Sequence, residues 1–413
     1  MNWYQKFRSE MAAGGAVESP EDPQVAVPGR ITGVVMVALL AWLAVVNIWT
    51  FVFVVGLLVS VFLHEVGHFS TARWTGMKAT QFFMGFGPRV WSRTRGEVEY
   101  GVRALPLGAF VRIIGMNNLD EVDPADESRA YRSKSYPRRM LVITAGSLMH
   151  MLIAFALFAG VYATAGREQP TGTATVVSMD ESAGPAFAAG IRPDDVIVSI
   201  DGTGITDHDS LVAALRSFAP GDLVAVAIER AGEPISAIVE LGSHPSGDGR
   251  PYLGVSASDL AWVRLGPLEA ARSSIADIAS TITGSVKGVV TALNPLNSIE
   301  QLTNEDAPLE SRPTTVVGIS QVGGSIGESD GLKAILLLLA SVNVFVGVFN
   351  MLPLLPFDGG HAAIATYERL RSRNGRVHRA DINKMVPVAT TVVGLLAILL
   401  VTGLYLDITR PLG

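Results

Sequence analysis

Four stretches of the chain carry no charge for long enough to cross a lipid bilayer: Ile31–Leu63, Leu141–Gly166, Ala334–Phe357 and Met385–Leu406. A spanning helix needs about 20 apolar residues, because the hydrocarbon core offers no water to backbone polar groups. The pattern therefore predicts a polytopic α-helical membrane protein with about four core crossings. The first stretch is too long for one simple crossing, since at 1.5 Å per residue it runs to roughly 50 Å against a core of about 30 Å. Either it is one long helix whose start lies outside, or Asn47-Ile48-Trp49-Thr50 is a turn between two shorter pieces. The pattern changes between the second and third stretches. Thr173–Val177, Val196–Ile200, Leu223–Ile228 and Ile235–Leu241 read as short strands, with Asp201-Gly202 as a tight turn, and Ser210–Phe218 has helical spacing. Pro267–Leu296 has apolar residues at helical spacing with few charges, which suits an amphipathic helix on a membrane surface.

Composition agrees. Of 413 residues, 49% are hydrophobic, and the mean hydropathy of +0.36 is too apolar for an ordinary soluble protein. There are no cysteines, so disulfides and thiolate metal sites are excluded and a metal must rely on His, Asp or Glu. The distribution of charge orients the chain. Between His68 and Leu141 there are twelve Lys/Arg against seven acids, and between Asp358 and Met385 six Lys/Arg, whereas Arg167–Trp262 has five Arg and fourteen Asp/Glu. The positive-inside rule puts the two basic loops in the cytoplasm and the acidic insertion outside. A polar stretch of about thirty residues precedes the first apolar run, which argues against a cleavable signal peptide. The expected organisation is a polar extension (1–30), a first membrane part (31–166), an external insertion (167–262), a membrane-proximal amphipathic segment (263–332) and a second membrane part (333–413).

The candidate chemistry begins at His64-Glu65-Val66-Gly67-His68. On a helix, H-E-x-x-H sets two imidazoles one turn apart on one face, a spacing that grips zinc, with a carboxylate between them. Ionisable residues at the margin of a bilayer are costly unless paired or coordinated, so their placement there favours function. Catalytic zinc keeps three protein ligands and one open position. The candidate third ligand is Asp358, in Asn350-Met351-Leu352-Pro353-Leu354-Leu355-Pro356-Phe357-Asp358-Gly359-Gly360-His361, where two prolines break a crossing. The bland reading makes Asp358 an interfacial helix terminus.

The pair HEVGH and NMLPLLPFDGGH resembles the site-2 protease family of intramembrane zinc metalloproteases, and bacterial members with one PDZ domain between crossings match best. The resemblance runs from about Phe51 to Leu406. It implies that His64, His68 and Asp358 bind Zn²⁺, that Glu65 is the catalytic glutamate, and that Asn350 contacts the substrate backbone or the reacting carbonyl. Phe357 replaces the leucine of the family's L-D-G motif. Met84-Gly85-Phe86-Gly87-Pro88 and Pro106-Leu107-Gly108-Ala109-Phe110 look like the family's G-F-G-P and P-L-G-G-[YF] segments, with Ala109 for the second glycine. The resemblance implies a cytoplasmic-side, membrane-associated β-hairpin that takes substrate as an added strand, with Gly85, Gly87, Pro106, Gly108 and Ala109 as its substrate-binding residues. A hairpin that merely packs is the alternative. Ala189–Gly202 resembles the PDZ signature, with Asp194 at a glycine position, and implies binding of a peptide or C-terminal tail; a β-rich spacer is the alternative. Ala145-Gly146-Ser147-Leu148-Met149-His150 aligns with the family's A-G-P-x-x-N. His150 is expected to hydrogen-bond a neighbouring helix rather than to be a fourth metal contact. His361 follows the aspartate motif as it does in the family.

Together these imply a bacterial inner-membrane endopeptidase that cuts transmembrane segments of single-pass proteins, such as anti-sigma factors or remnant signal peptides. Its PDZ domain and amphipathic helix would filter access, with membrane lipid as a partner and no nucleic acid. A non-catalytic PDZ scaffold with a structural metal site is the rival reading, against which the intact Glu65 argues. A metal-dependent transporter would show inverted repeats, and none is evident.

Overall fold

The computed structural model describes residues 29–116, 120–180, 184–304, 307–372, 377–381 and 384–412; all but the last two positions of the 1–30 extension lie outside them. Two compact units are present, residues 1–161 with 267–413, and residues 162–266.

The first unit contains four helices long and apolar enough to cross a membrane: α2 (Ile48–Trp74), α3 (Tyr136–Thr164), α7 (Val316–Asn350) and α9 (Val386–Thr409). A further apolar helix, α1 (Gly29–Val46), precedes them. The long first stretch is thus two helices, broken at the first residue of the suspected turn. Asn47 is extended (φ −151°, ψ 103°), and its side chain accepts from the Trp49 and Thr50 amides to cap α2. An asparagine cap satisfies donors that the helix itself leaves unpaired. The same side chain donates to Glu328 at 2.8 Å.

Residues 267–303 form two helices, α5 (Pro267–Ala292) and α6 (Pro295–Thr303), so the amphipathic run breaks at Asn294-Pro295. Helix α7 starts well before the expected Ala334 and is kinked at Gly331, which adopts φ 72°. It ends at Asn350, ahead of Pro353 and Pro356, and α8 (Asp358–Arg371) follows the broken segment. Helices α2, α3 and α8 share a core of Ala72, Val142, Ile143, Ala362 and Ala365.

Between α2 and α3 lie β1 (Ala79–Arg95) and β2 (Val98–Ile113). The arrangement is more folded than a simple hairpin. Phe82 pairs with both Val111 and Tyr100, and Phe83 with both Phe110 and Gly101, so the first half of β1 lies between the two halves of β2. Left-handed glycines allow the reversal: Gly85 (φ 89°) and Gly87 (φ 79°) turn β1, and a Cβ at Gly85 would sit 2.7 Å from the Leu105 carbonyl oxygen.

The second unit is a sheet in the order β7 (Val255–Val263), β3 (Arg167–Met179), β4 (Val196–Ile200), β5 (Leu223–Arg230), β6 (Glu233–Glu240), with α4 (His208–Leu215) beside it. All four expected strands are present. Its core includes Val176, Ile197, Ile200, Val224, Val226, Ile228 and Val239; Val224, Val226 and Ile228 alternate along β5, while a register shift between Ile197 and Ser199 lets both Ile197 and Ile200 of β4 face inward. Asp194 has φ 69°, the left-handed conformation that the signature's glycine provides and that a short polar side chain tolerates. Asp195 beside it is fully buried; the Arg230 guanidinium, bonding both its oxygens, holds its carboxyl below the usual carboxylate range.

Candidate metal centre and catalytic site

Helical period alone puts His64 and His68 on one face of α2, and both are buried. Their Nε2 atoms lie 3.1 Å apart. Asp358, the first residue of α8, brings Oδ2 to 3.5 Å from His64 Nε2 and 3.2 Å from His68 Nε2. The Nδ1 of His68 lies 2.7 Å from the Val142 carbonyl oxygen. A carbonyl only accepts, so Nδ1 carries the proton and Nε2 presents its lone pair to the cluster.

Three metal-donor atoms thus converge, His68 Nε2 with its lone pair free, and Asp358 Oδ2 is buried without a hydrogen-bond donor despite its closeness to His68. A buried carboxylate oxygen left without a donor is costly unless a cation joins it. The backbone leaves room as well: a Cβ at Gly146 would lie 2.4 Å from His68 Nε2 and 2.6 Å from His64 Nε2. Two imidazoles and one carboxylate oxygen are zinc donors, so the residues present fit that ion.

Glu65 lies beside the cluster, its Oε1 3.9 Å from His64 Nε2. Its carboxylate also meets the Val111 main chain of β2. Asn350 is the last residue of α7, half-buried, eight positions before Asp358. Gly85, Gly87 and Gly108 form bends of the β1–β2 sheet, and Ala109 is buried opposite Met84. Pro106 lies within β2. The structure therefore gathers His64, Glu65, His68 and Asp358, and leaves the glycines in the sheet that adjoins Glu65.

Helix α8 is fastened so that Asp358 stays in place. Glu368, ten residues along α8, pairs with Arg139 of α3 at 2.8 Å and accepts from the Ala380 amide. Tyr136 of α3 meets Thr366 at 3.2 Å. At the other end of α8, Cβ atoms at Gly359 or Gly360 would collide with the main chain of 351–355. That close approach folds the proline-broken segment against the helix start.

His150 hydrogen-bonds a neighbouring helix, as expected of the residue standing for asparagine. Its Nδ1 meets Asn343 Oδ1 of α7 at 2.7 Å, and Asn343 Nδ2 donates to Ser60 of α2. This ties three crossings together directly beside the metal centre, with the His150 and His64 rings 5.0 Å apart. Asn343 and Ser60 are supporting residues that sequence reasoning missed. An amide alone in an apolar run was the available signal.

Comparison with known proteins places the chain in a family. The model of peptidase family M50 matches residues 52–394. The zinc metalloprotease Rip1 of Mycobacterium tuberculosis is 33% identical, over 87% of this chain and 97% of that protein. Rip1 of Mycolicibacterium smegmatis gives the same figures. A putative zinc metalloprotease of Rhizobium meliloti is 28% identical over 78% of this chain and 87% of that protein. Among solved structures, the PDZ domain of an SdrC-like protein from Listeria monocytogenes is 23% identical, covering 21% of this chain and 90% of that one, with a TM-score of 0.20. The chain belongs to peptidase family M50, the site-2 proteases, and is a membrane-embedded zinc metalloprotease.

Proposed function

We propose that this chain hydrolyses peptide bonds within transmembrane segments of single-pass membrane proteins, with His64, His68 and Asp358 holding the zinc ion and Glu65 as general base and acid. The observation that carries this reading is the convergence of three metal-donor atoms beside a glutamate, with His64, Glu65 and His68 all on one apolar, span-length helix. Zinc in that cluster supplies Lewis-acid polarisation of the scissile carbonyl and acidifies water. Glu65 takes the proton from the attacking water and delivers it to the leaving amine. Asn350 holds the substrate strand or the developing oxyanion.

A peptide bond inside a helix is shielded by its own hydrogen bonds, so the substrate must be held extended. The β2 main chain at Val111, beside Glu65, suits an added strand, with Gly85, Gly87, Pro106, Gly108 and Ala109 shaping the sheet that presents it. The basic loops face the cytoplasm and the acidic 162–266 unit lies outside. There it binds a peptide or C-terminal tail as a PDZ domain and filters access by substrate size. Anti-sigma factors and remnant signal peptides, already trimmed outside, are the substrate class.

The test is co-expression with a single-pass reporter. Glu65→Gln should lower cleavage by about 100-fold or more, the usual contribution of a general base, while zinc stays near one per chain. Cleavage that persists at the wild-type rate in this variant removes Glu65 from the chemistry.

A further inference from the structure

We propose a second binding site in the first unit, for the anionic headgroup of a membrane phospholipid. A cavity of about 1010 Å³ opens where α2 meets the sheet, and Arg73, Arg93, Arg95 and Arg129 line it with Trp91 and Tyr100. Arg129 is already neutralised, its guanidinium bonding both oxygens of Glu97 at 2.7 and 2.6 Å. Among the described residues, Arg73, Arg93 and Arg95 form no close ion pair; Arg73 stacks over Phe69 at 5.6 Å and also feels Glu97, the carboxylate on the cavity wall that Arg129 already pairs. The cavity wall thus carries four guanidinium groups against one carboxylate, an excess of donors that matches phosphate oxygens.

Its position selects lipid over other anions. Helix α2 has 27 residues, about 40 Å of helix against a hydrocarbon core of about 30 Å, so its last turns reach the headgroup layer. Trp74, the last residue of α2, is 80% exposed and Trp91 on the cavity wall 56% exposed, and indoles favour that layer. Basic pockets beside spanning helices at this depth suit anionic headgroups. The site is separate from the metal centre: Arg73 lies five residues beyond His68 on α2, about 7 Å along the axis. A bound headgroup would brace the outer limbs of β1 and β2 against α2, the sheet whose Val111 meets Glu65.

The experiment uses the full chain in nanodiscs of phosphatidylcholine, with and without phosphatidylglycerol. Native mass spectrometry and the thermal midpoint are read for the wild type, for Arg93→Gln/Arg95→Gln, and for the control Arg369→Gln/Arg371→Gln. The control removes the same charge from exposed positions on α8. Zinc content equal to wild type shows that each variant has folded. Wild type and control should retain phosphatidylglycerol and gain stability from it, and the cavity variant should bind it about tenfold or more weakly. Equal retention in all three proteins, or equal loss in both variants, overturns the site. Stabilisation of the phosphatidylcholine sample by inorganic phosphate to the same extent overturns the lipid assignment in favour of a soluble anion. Stabilisation by an acidic peptide but not by phosphatidylglycerol overturns it in favour of a peptide.

Discussion

Asp358 and Asp407 belong to the same unit, and their surroundings are opposites. Asp407, near the end of α9, is fully buried, and both its oxygens are used. Oδ2 accepts from the Thr315 amide, the Thr315 hydroxyl and the Gly318 amide at 2.7–3.0 Å, and Oδ1 meets Arg312 at 3.2 Å. It caps the start of α7 from another helix, where the unpaired amides and the helix dipole favour a carboxylate. Asp358 points an oxygen at two imidazole nitrogens and receives no donor there. A buried carboxylate whose two oxygens both receive donors holds a fold together. One left among other acceptors does not stabilise the apo-protein, and its presence is explained by the cation it serves.

The strongest way to break this contrast is Asp358→Asn. Losing an outer hydrogen-bond partner of a metal ligand typically costs 10- to 100-fold in affinity, so losing a ligand oxygen should weaken zinc binding by about 100-fold or more, with cleavage falling in parallel. The sign of the stability change is the sharper test. With metal chelated, this variant should melt no lower than wild type, because a charge among unpaired acceptors has been removed. A metal-free variant markedly less stable than metal-free wild type would show that Asp358 is a structural residue after all.

For Asp407→Ala the expectation reverses. Arg312 and the capped amides lose their partner at a site where the Arg312 and Asp407 side chains are only 5% and 0% exposed. Removing one member of a buried pair costs about 3–5 kcal/mol, which should appear as a large fall in the thermal midpoint. Zinc per folded chain should stay at the wild-type value, since no metal donor is touched. A variant that keeps its midpoint but loses zinc would erase the distinction between the two aspartates.

The two sites were unequally legible in the sequence. His64, Glu65 and His68 share a helix, so spacing alone brings them together, and the prolines before Asp358 marked broken backbone in an apolar run. What pointed to Asp358, 290 positions from His68, was not spacing but the need for a third ligand from another crossing at a break in the backbone, and the family resemblance strengthened it. Supports that depend on which face of one helix meets another were invisible: Gly146 beneath the imidazoles, the Asn343–Ser60 bond, and the Arg139–Glu368 pair. The sheet was legible as alternation but not as a double fold-back, because its register is set by bends at Gly85 and Gly87. Asp407, the residue just after the fourth apolar run, was not singled out, although its pairing is as specific as that of any ligand.

The smallest effect belongs to Asp195 of the 162–266 unit, a saturated carboxylate like Asp407 but with an exposed side to its partner. Arg230 Nε and Nη2 and the Arg192 amide bond it at 2.7–2.8 Å. The Arg230 side chain is 28% exposed, so solvent screening reduces the pair, and Asp195→Asn should cost about 1–3 kcal/mol at neutral pH. The pH dependence fixes the cause. Because the folded carboxyl titrates below its unfolded value of about 3.9, its contribution is complete above that pH and is lost as pH falls through the folded value. Hydrogen exchange of the Val196–Ile200 and Leu223–Arg230 amides in the full chain reads this directly. The variant should exchange faster than wild type at pH 6, by a margin that narrows as pH falls below about 3.9. A gap that stays constant down to pH 3 would assign the stabilisation to packing around Asp195 rather than to its charge.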